Sequence, residues 1–392
     1  MSVWLPPHDH AGRRDRLRGT LDGRWLLVST PVNVRYLTGF TGSAGHTLVA
    51  PDPSMDRLLT DDRYAERVTH DPPDLEVELT RKPVQVAVDL VRGNDGGGDE
   101  ARVGDGTTVG AGDGSTVGAG DGPTLCVEAD HLTWARAREV QTMAQEAGLR
   151  LVGLTGAVAQ LRLVKDDAEV ARLTRANQLT AAALEWLFEE VVAPGRTERQ
   201  LAIALERRFI DLGADGIAFP SIVASGYNCA SPHHEPTDRE LRAGELLTVD
   251  CGAQVDGYHA DHTRTVGISH LAPEVQDLYD LVKRAQAAGR AAVVAGATTG
   301  EVDTAARGVI EEAGFGRYFV HGTGHGVGLE VHEAPSVAKG TTATLVPGMT
   351  LTVEPGVYVP GNGGVRIEDS LVVVPDGPAH PLTDAPRELR IL

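Results

Sequence analysis

The sequence predicts two domains of different class: a smaller α/β domain over residues 1–159, and an α+β domain with a mainly antiparallel sheet over 160–392. In the first part, strand-like and helix-like runs alternate, which is the pattern of α/β packing. Beyond residue 160, long helices and short strands fall into separate blocks, which is the pattern of an α+β domain. A chain of 392 residues is also long enough for two cores.

In the first domain, WLLVS (25–29) and HTLVA (46–50) read as short buried strands. NVRYLTGFTGSAGH between them is rich in Gly and Thr and reads as a connection. DDRYAERV (61–68) and LTWARAREVQTMAQEA (132–147) read as helices. Residues 93–123 differ in kind. TTVGAGDG (107–114) is followed directly by STVGAGDG (115–122), a tandem repeat dense in Gly and Asp. Such a segment buries too little surface to offset its ordering entropy, and it reads as a flexible surface insertion. A calcium-binding β-roll is disfavoured, because its repeats are nonapeptides and the period here is eight.

In the second domain, KDDAEVARLTRANQLTAAALEWLFEEVV carries apolar residues at 170, 173, 176, 184, 187 and 191, a helical stripe. Asp166 or Asp167 can cap its start, and Pro194-Gly195 ends it. Thr197 with Gln200 forms a capping-box pair that opens a helix running to about Leu212. Short strands and turns follow over 216–268. A helix begins after Pro273 and another after Thr298 with Glu301, and the remainder returns to strands.

Composition narrows the function classes. The chain is 41% hydrophobic and 23% charged, as ordinary globular proteins are. A net charge of −19 argues against nucleic acid, which needs clustered Lys and Arg. Cys126, Cys229 and Cys251 are sparse, odd in number and contain no CxxC, so a reducing compartment without disulfides is expected. The N-terminus has no signal-length apolar stretch, and no run of 18 apolar residues suggests a membrane span. The expected location is cytoplasmic.

Five residues carry the chemistry: Asp250, Asp261, His325, Glu354 and Glu368. Four carboxylates and an imidazole are the donor set that holds two divalent cations. A paired-metal site generates a nucleophile at neutral pH and polarises a carbonyl, so the expectation is a hydrolase. Asp250 ends the apolar run LLTV (246–249), and Asp261 precedes the β-prone HTRTVGI. Gly252 and Gly257 mark turns between them, so a hairpin is expected to bring both acids onto one face. Glu354 follows LTV at a strand end. In VRIEDSLVVV, strand alternation puts Arg366, Glu368 and Ser370 on one face, with Arg366 beside Glu368. Any one of these acids alone reads as a surface or capping residue. Four together, each flanked by apolar residues, do not, because buried charge without a partner is costly. HGTGHGVG around His325 could be a tight Gly-rich turn. Phosphate binding is disfavoured, since neither GxxxxGK[ST] nor GxGxxG is present.

The segments GIAFPSIVASGYNCASPHHEPTDRELRAGELLTVDCGA, DGYHADHTRTVGI, HGTGHGVGLEVHEAP and LTVEPGVYVPGNGGVRIEDS together resemble the catalytic domain of the pita-bread metallopeptidases. The resemblance points to the Xaa-Pro peptidase branch, prolidase and aminopeptidase P. It covers 160–392 strongly. NVRYLTGFTGSAG carries a weaker resemblance to the creatinase/prolidase N-terminal domain, and the Gly/Asp repeat has no counterpart. The ligand spacings of 11, 64, 29 and 14 residues are specific to this family.

The resemblance implies Asp250, Asp261, His325, Glu354 and Glu368 as metal ligands, with Asp261 and Glu368 bridging. It implies His233, His332, Glu354 and Arg366 as catalytic, and His233, His321, His332 and Arg366 as substrate-binding. Glu354 would relay a proton, and His332 and His233 would donate to developing charge. Tyr258 reads equally as a support or as a structural aromatic, and His234 reads as an exposed loop residue. The implied cofactor is two divalent ions, manganese with cobalt or zinc as alternatives. The implied substrates are dipeptides or longer peptides with proline second, and the implied assembly is a homo-oligomer, a dimer. Two readings compete: another metal aminopeptidase of the family, such as a methionine aminopeptidase, and a non-catalytic peptide-binding module of the same fold.

Overall fold

A computed structural model describes residues 4–94 and 122–392. Residues 95–121, which hold all but the last residue of the tandem repeat and all but the edges of the 93–123 segment, lie outside the described residues. The chain divides into two units: His8–Arg162, and Leu163–Leu392 with the segment ending at Pro7. Arg172 holds that segment, donating from Nη1 to the Pro6 carbonyl at 2.8 Å.

The N-terminal unit is built on a six-stranded mixed sheet of order β4-β3-β2-β1-β5-β6. Its strands are β1 (Trp25–Val28), β2 (Gly45–Val49), β3 (Arg57–Thr60), β4 (Glu76–Leu79), β5 (Thr124–Glu128) and β6 (Arg150–Leu154). Its helices are α1 (His10–Leu21), α2 (Pro31–Thr38), α3 (Ala65–His70), α4 (Pro83–Gly93), α5 (Trp134–Glu146) and α6 (Ala157–Arg162). WLLV is buried along its whole length, as a run without polar alternation requires. The stretch NVRYLTGFTGSAGH read as a connection, yet its first part, up to Thr38, belongs to helix α2. Pro31 sits in its first turn and Gly39 closes it in the left-handed region at φ 75°. The Gly- and Thr-rich composition had hidden a Pro-start, Gly-stop pair.

In the C-terminal unit the helices are α7 (Asp167–Trp186), α8 (Glu198–Asp211), α9 (Pro273–Ala292) and α10 (Thr299–Glu312). Capping boxes open α7 (Asp166/Glu169), α8 (Thr197/Gln200) and α10 (Thr298/Glu301). The strands are β7 (Gly216–Ile217), β8 (Ile222–Ser225), β9 (Leu246–Cys251), β10 (Ala253–Val255), β11 (Tyr258–His259), β12 (His262–Gly267), β13 (Gly324–Gly326), β14 (Glu333–Val337), β15 (Thr350–Val353), β16 (Gly356–Val359), β17 (Gly363–Arg366), β18 (Asp369–Val372) and β19 (His380–Pro381). They form sheets of order β11-β10-β7, β12-β9-β8, β14-β13-β15-β18-β19 and β16-β17. Every pairing among these strands is antiparallel. Leu179, Ala183, Leu201, Leu205 and Phe209 from α7 and α8 pack with Val223, Leu247, Val249 and Val266 of the β8-β9-β12 sheet. Tyr279, Val282 and Ala285 of α9 and Ile310 of α10 pack with Val357, Val365 and Ile367.

Two local features position the site. First, β9 and β12 form the arms of a long hairpin in which Asp250 lies opposite Thr263. Its tip is the β10-β11 pair, turned by Asp256 (φ 47°) and Gly257 (φ 77°), as an Asp-Gly two-residue turn favours. Second, the stretch read as one strand, VRIEDSLVVV, is divided between β17 and β18 at Ile367-Glu368. Alternation survives the division. Arg366, Glu368 and Ser370 reach Asp250, Thr263 and the Asp261 carbonyl. Asp369 turns to Arg264 and Gln286 instead.

Candidate active site

Asp250 leaves the buried end of β9, Asp261 precedes β12, His325 lies within β13, Glu354 follows β15, and Glu368 joins β17 to β18. Donor atoms of Asp250, Asp261 and Glu368 lie within 4.8 Å of one another, as do those of His325, Glu354 and Glu368. His332 joins Asp261 and His325 in a third such group. Eight of the residues singled out in the sequence (Asp250, Asp261, His325, Glu354, His233, His321, His332 and Arg366) line one cavity of about 340 Å³. Phe219, Ile222 and Val331 supply apolar wall.

The glycines around His325 are explained by strand approach. A Cβ on Gly324 would sit 2.0 Å from the Thr352 carbonyl oxygen, and one on Gly326 would sit 2.1 Å from that of Ala334. Only glycine lets β13 lie so close to its neighbours. His325 Nδ1 faces the Gly326 carbonyl at 3.0 Å, so Nδ1 carries a hydrogen and Nε2 is turned to the acids. Nε2 lies 3.2 Å from Glu354 Oε1 and 3.5 Å from Asp261 Oδ2.

Charge in this cluster is unbalanced. Burial, and then the neighbouring carboxylates, push Asp261 and Glu368 well above the usual carboxylate range. Asp250 is raised too, by burial, although Arg366 opposes it. Glu354 stays low: burial works against its charge, but His325 outweighs it. Two buried oxygens, Asp250 Oδ1 and Glu368 Oε1, have no hydrogen-bond partner among the described residues. Orphaned buried carboxylate oxygens are rare and costly, and a divalent cation satisfies them while neutralising the repulsion. The donor set therefore fits divalent metal.

A carboxyl whose folded pKa is raised stabilises the fold below its unfolded pKa, and that contribution is lost as pH rises through the folded value. Metal-free protein should therefore lose stability on passing from acid to neutral pH through Asp261 and Glu368, whereas bound cation needs both ionised. The gap in melting temperature between metal-loaded and chelated protein is expected to widen as pH rises, measured by scanning calorimetry in both states. A gap independent of pH would contradict this assignment.

Arg366 does not pair with Glu368, as its position in the strand suggested. Its Nη2 donates to Asp250 Oδ2 at 2.7 Å, Nε to Thr263 Oγ1 at 3.1 Å, and Nη1 to Tyr358 Oη and to the Pro232 carbonyl. Tyr358 in turn lies 2.8 Å from His321 Nε2, while His321 Nδ1 faces the Gly322 carbonyl at 2.7 Å. The chain of donors is consistent: Nδ1–H to Gly322, Tyr358 O–H to Nε2, Arg366 to Tyr358. Burial pushes the Tyr358 hydroxyl up to about 12, so it remains a donor. Both ring nitrogens of His321 are thus engaged within the protein. His332 stacks obliquely on His325 with ring centroids 4.2 Å apart, and burial and then His325 hold its pKa low.

Tyr258 is structural. It is 1% exposed and donates to Glu169 Oε1 at 3.1 Å. His234 is not an exposed loop residue: its Nε2 lies 2.8 Å from Glu198 Oε2, with the side chain 12% exposed. Tyr358 and Glu198 had not been singled out at all. Tyr358 stands four residues beyond Glu354 in a strand, where an aromatic reads as core. Glu198 opens a helix, where an acid reads as a favourable end charge.

Residues 171–375 match metallopeptidase family M24, and residues 13–164 match the creatinase/prolidase N-terminal domain. The uncharacterized peptidase YqhT of Bacillus subtilis is 34% identical over 95% of this chain and 96% of its own length. A Xaa-Pro dipeptidase of Lactobacillus delbrueckii subsp. lactis is 35% identical, covering 67% of this chain and 73% of that protein. The structure of a Xaa-Pro dipeptidase from Bacillus anthracis superposes with a TM-score of 0.85 at 32% identity, covering 98% of this chain and all of that one. The family match is to a metallopeptidase, and the clustered acids and imidazoles are able to hold metal. The chain belongs to metallopeptidase family M24, with the pita-bread catalytic fold and a creatinase-like N-terminal domain. No helix among the described residues is long and apolar enough to cross a membrane.

Proposed function

We propose that this metallopeptidase hydrolyses the bond between an N-terminal residue and proline, with two divalent cations held by Asp250, Asp261, His325, Glu354 and Glu368. The pair of orphaned buried oxygens, Asp250 Oδ1 and Glu368 Oε1, carries this reading. Bound divalent metal supplies an acidified water and an electrophile for the scissile carbonyl. Manganese is the preferred ion, because carboxylate-rich sets suit it, with cobalt and zinc next.

The protein's own groups divide the remaining work. His332, its pKa held low, is neutral at pH 7 and keeps an N–H to donate to charge developing on the substrate carbonyl. His233 lies in the cavity wall, where its imidazole binds the substrate backbone. Glu354 is ionised at neutral pH and can take a proton and pass it to the departing proline nitrogen. That nitrogen must gain a proton to leave as an amine. Phe219, Ile222 and Val331 offer apolar surface for a pyrrolidine ring. His321 holds Tyr358, and Arg366 holds Asp250, so both act on the pocket mainly through neighbours. Dipeptides are the preferred substrates in this reading, since a Xaa-Pro dipeptidase and prolidases stand among the solved structures that this chain resembles, beside an X-Pro aminopeptidase.

Purified protein, stripped by chelator and reloaded separately with manganese, cobalt or zinc, tests this. Release of the N-terminal alanine from Ala-Pro should vanish on stripping, return most fully with manganese, and exceed its release from Ala-Pro-Ala. Full turnover in stripped protein would overturn the metal assignment. No turnover of any Xaa-Pro peptide in loaded protein would favour the non-catalytic peptide-binding module.

A further inference from the structure

Glu198, the first residue of α8, is fully buried. Its carboxylate receives hydrogen bonds on both oxygens from the segment that contains His233. Oε1 accepts from Ser225 N (2.7 Å), Ser225 Oγ (2.8 Å) and Asn228 Nδ2 (2.9 Å). Oε2 accepts from His234 Nε2 (2.8 Å), Thr237 N (3.1 Å) and Thr237 Oγ1 (2.7 Å). One oxygen thus ties down the start of the 225–237 segment and the other its end. Burial alone would raise this carboxyl, but the bonds from Asn228, His234, Thr237 and Ser225 outweigh it and hold it at about 2. It is therefore a permanent anion with its acceptor capacity filled.

The clamp closes around one residue. His234, on the C-terminal side of His233, is fixed by Glu198. Pro232, on the N-terminal side, is fixed through its carbonyl by Arg366 Nη1 at 3.2 Å, and Arg366 also holds Asp250. His233 is left exposed in the cavity wall between two anchored neighbours. We propose that Glu198, acting with His234, is a positioning residue for peptide hydrolysis: it fixes the backbone on either side of His233 so that the imidazole meets the substrate in one orientation. This rests on the peptidase reading above.

The test is Glu198→Gln, with His234→Phe as a milder variant that removes one bond to Oε2. Each is assayed for kcat and KM on Ala-Pro, alone and combined with His233→Ala, alongside bound metal per chain. Glu198→Gln should lower kcat/KM about tenfold to a hundredfold with metal content unchanged, since misplacing a binding group by an ångström has effects of that order. In the His233→Ala background the same change should add little, because the group it positions is gone. Losses that multiply instead, losses that track bound metal, or an unchanged kcat/KM in Glu198→Gln would each overturn the proposal. If Glu198→Gln fails to fold, the cycle is read from His234→Phe. Wild-type turnover is the control: its absence sinks the peptidase reading, whereas intact wild-type turnover with a multiplicative cycle sinks only the positioning role.

Discussion

Asp261→Asn is expected to lower kcat on Ala-Pro about a thousandfold or more, equivalent to roughly 4 kcal/mol of lost transition-state stabilisation. The reason is that Asp261 belongs to two of the donor groups at once, one with Asp250 and Glu368 and one with His325 and His332. An amide in its place keeps the volume and removes the charge, so bound metal per chain should fall with turnover. Stability should move the other way in the absence of metal. In the chelated protein Asp261 is a buried acid among Glu368, Asp250 and Glu354, with its pKa driven far up by burial and by those neighbours. Asparagine needs neither ionisation nor protonation, so it avoids the penalty that this buried acid imposes at neutral pH. Chelated Asp261→Asn should therefore melt higher than chelated wild type, and should gain little when manganese is added. Near-normal turnover, or a variant that melts lower than wild type under chelator, would show that Asp261 is not a ligand.

What the sequence made legible was what is local. Thr197 with Gln200 and Thr298 with Glu301 announce helices because a capping box lies within one turn of chain, and both helices begin there. Asp256-Gly257 announces the tip of the β10-β11 pair by the same token. Helix α2 escaped because its stop, Gly39, stands in a run of further glycines and threonines whose composition outweighed the single Pro and Gly that matter. The five residues singled out by type and setting do come together in the structure. The geometry that makes them a cluster comes from β9, β12, β13, β15 and the β17-β18 junction, which no local pattern specifies.

The partners of these acids were the hardest to read. Arg366 stands two residues from Glu368, which favoured pairing them. Yet Arg366 reaches across to Asp250, 116 positions away in sequence. Glu198 and His234 are separated by 36 positions and meet only because α8 packs against β8. Each of these is a buried charge satisfied at long range. A sequence shows the charge but not the partner, so His234 looked like solvent-exposed loop while being held by a fully buried carboxylate.

Arg366→Met should destabilise the chelated protein by roughly 3–5 kcal/mol, the range for removing one partner of a buried ion pair. The pair is well buried, with side-chain exposures of 4% for Arg366 and 12% for Asp250. Methionine fills much of the space but offers nothing to Asp250 Oδ2, Thr263 Oγ1, Tyr358 Oη or the Pro232 carbonyl, all of which the guanidinium now meets. The effect should depend on metal. A cation held by Asp250 replaces part of the lost positive charge, so urea unfolding should show a smaller loss in loaded protein than in chelated protein. Metal affinity should fall about tenfold to a hundredfold, as it does when a group orienting a ligand is removed. Adding Asp250→Asn to Arg366→Met should recover stability in chelator, since the stranded charge disappears with it. An Arg366→Met protein with unaltered unfolding and metal affinity, but a raised KM alone, would make Arg366 a substrate-binding group and leave Asp250 to be oriented by something else.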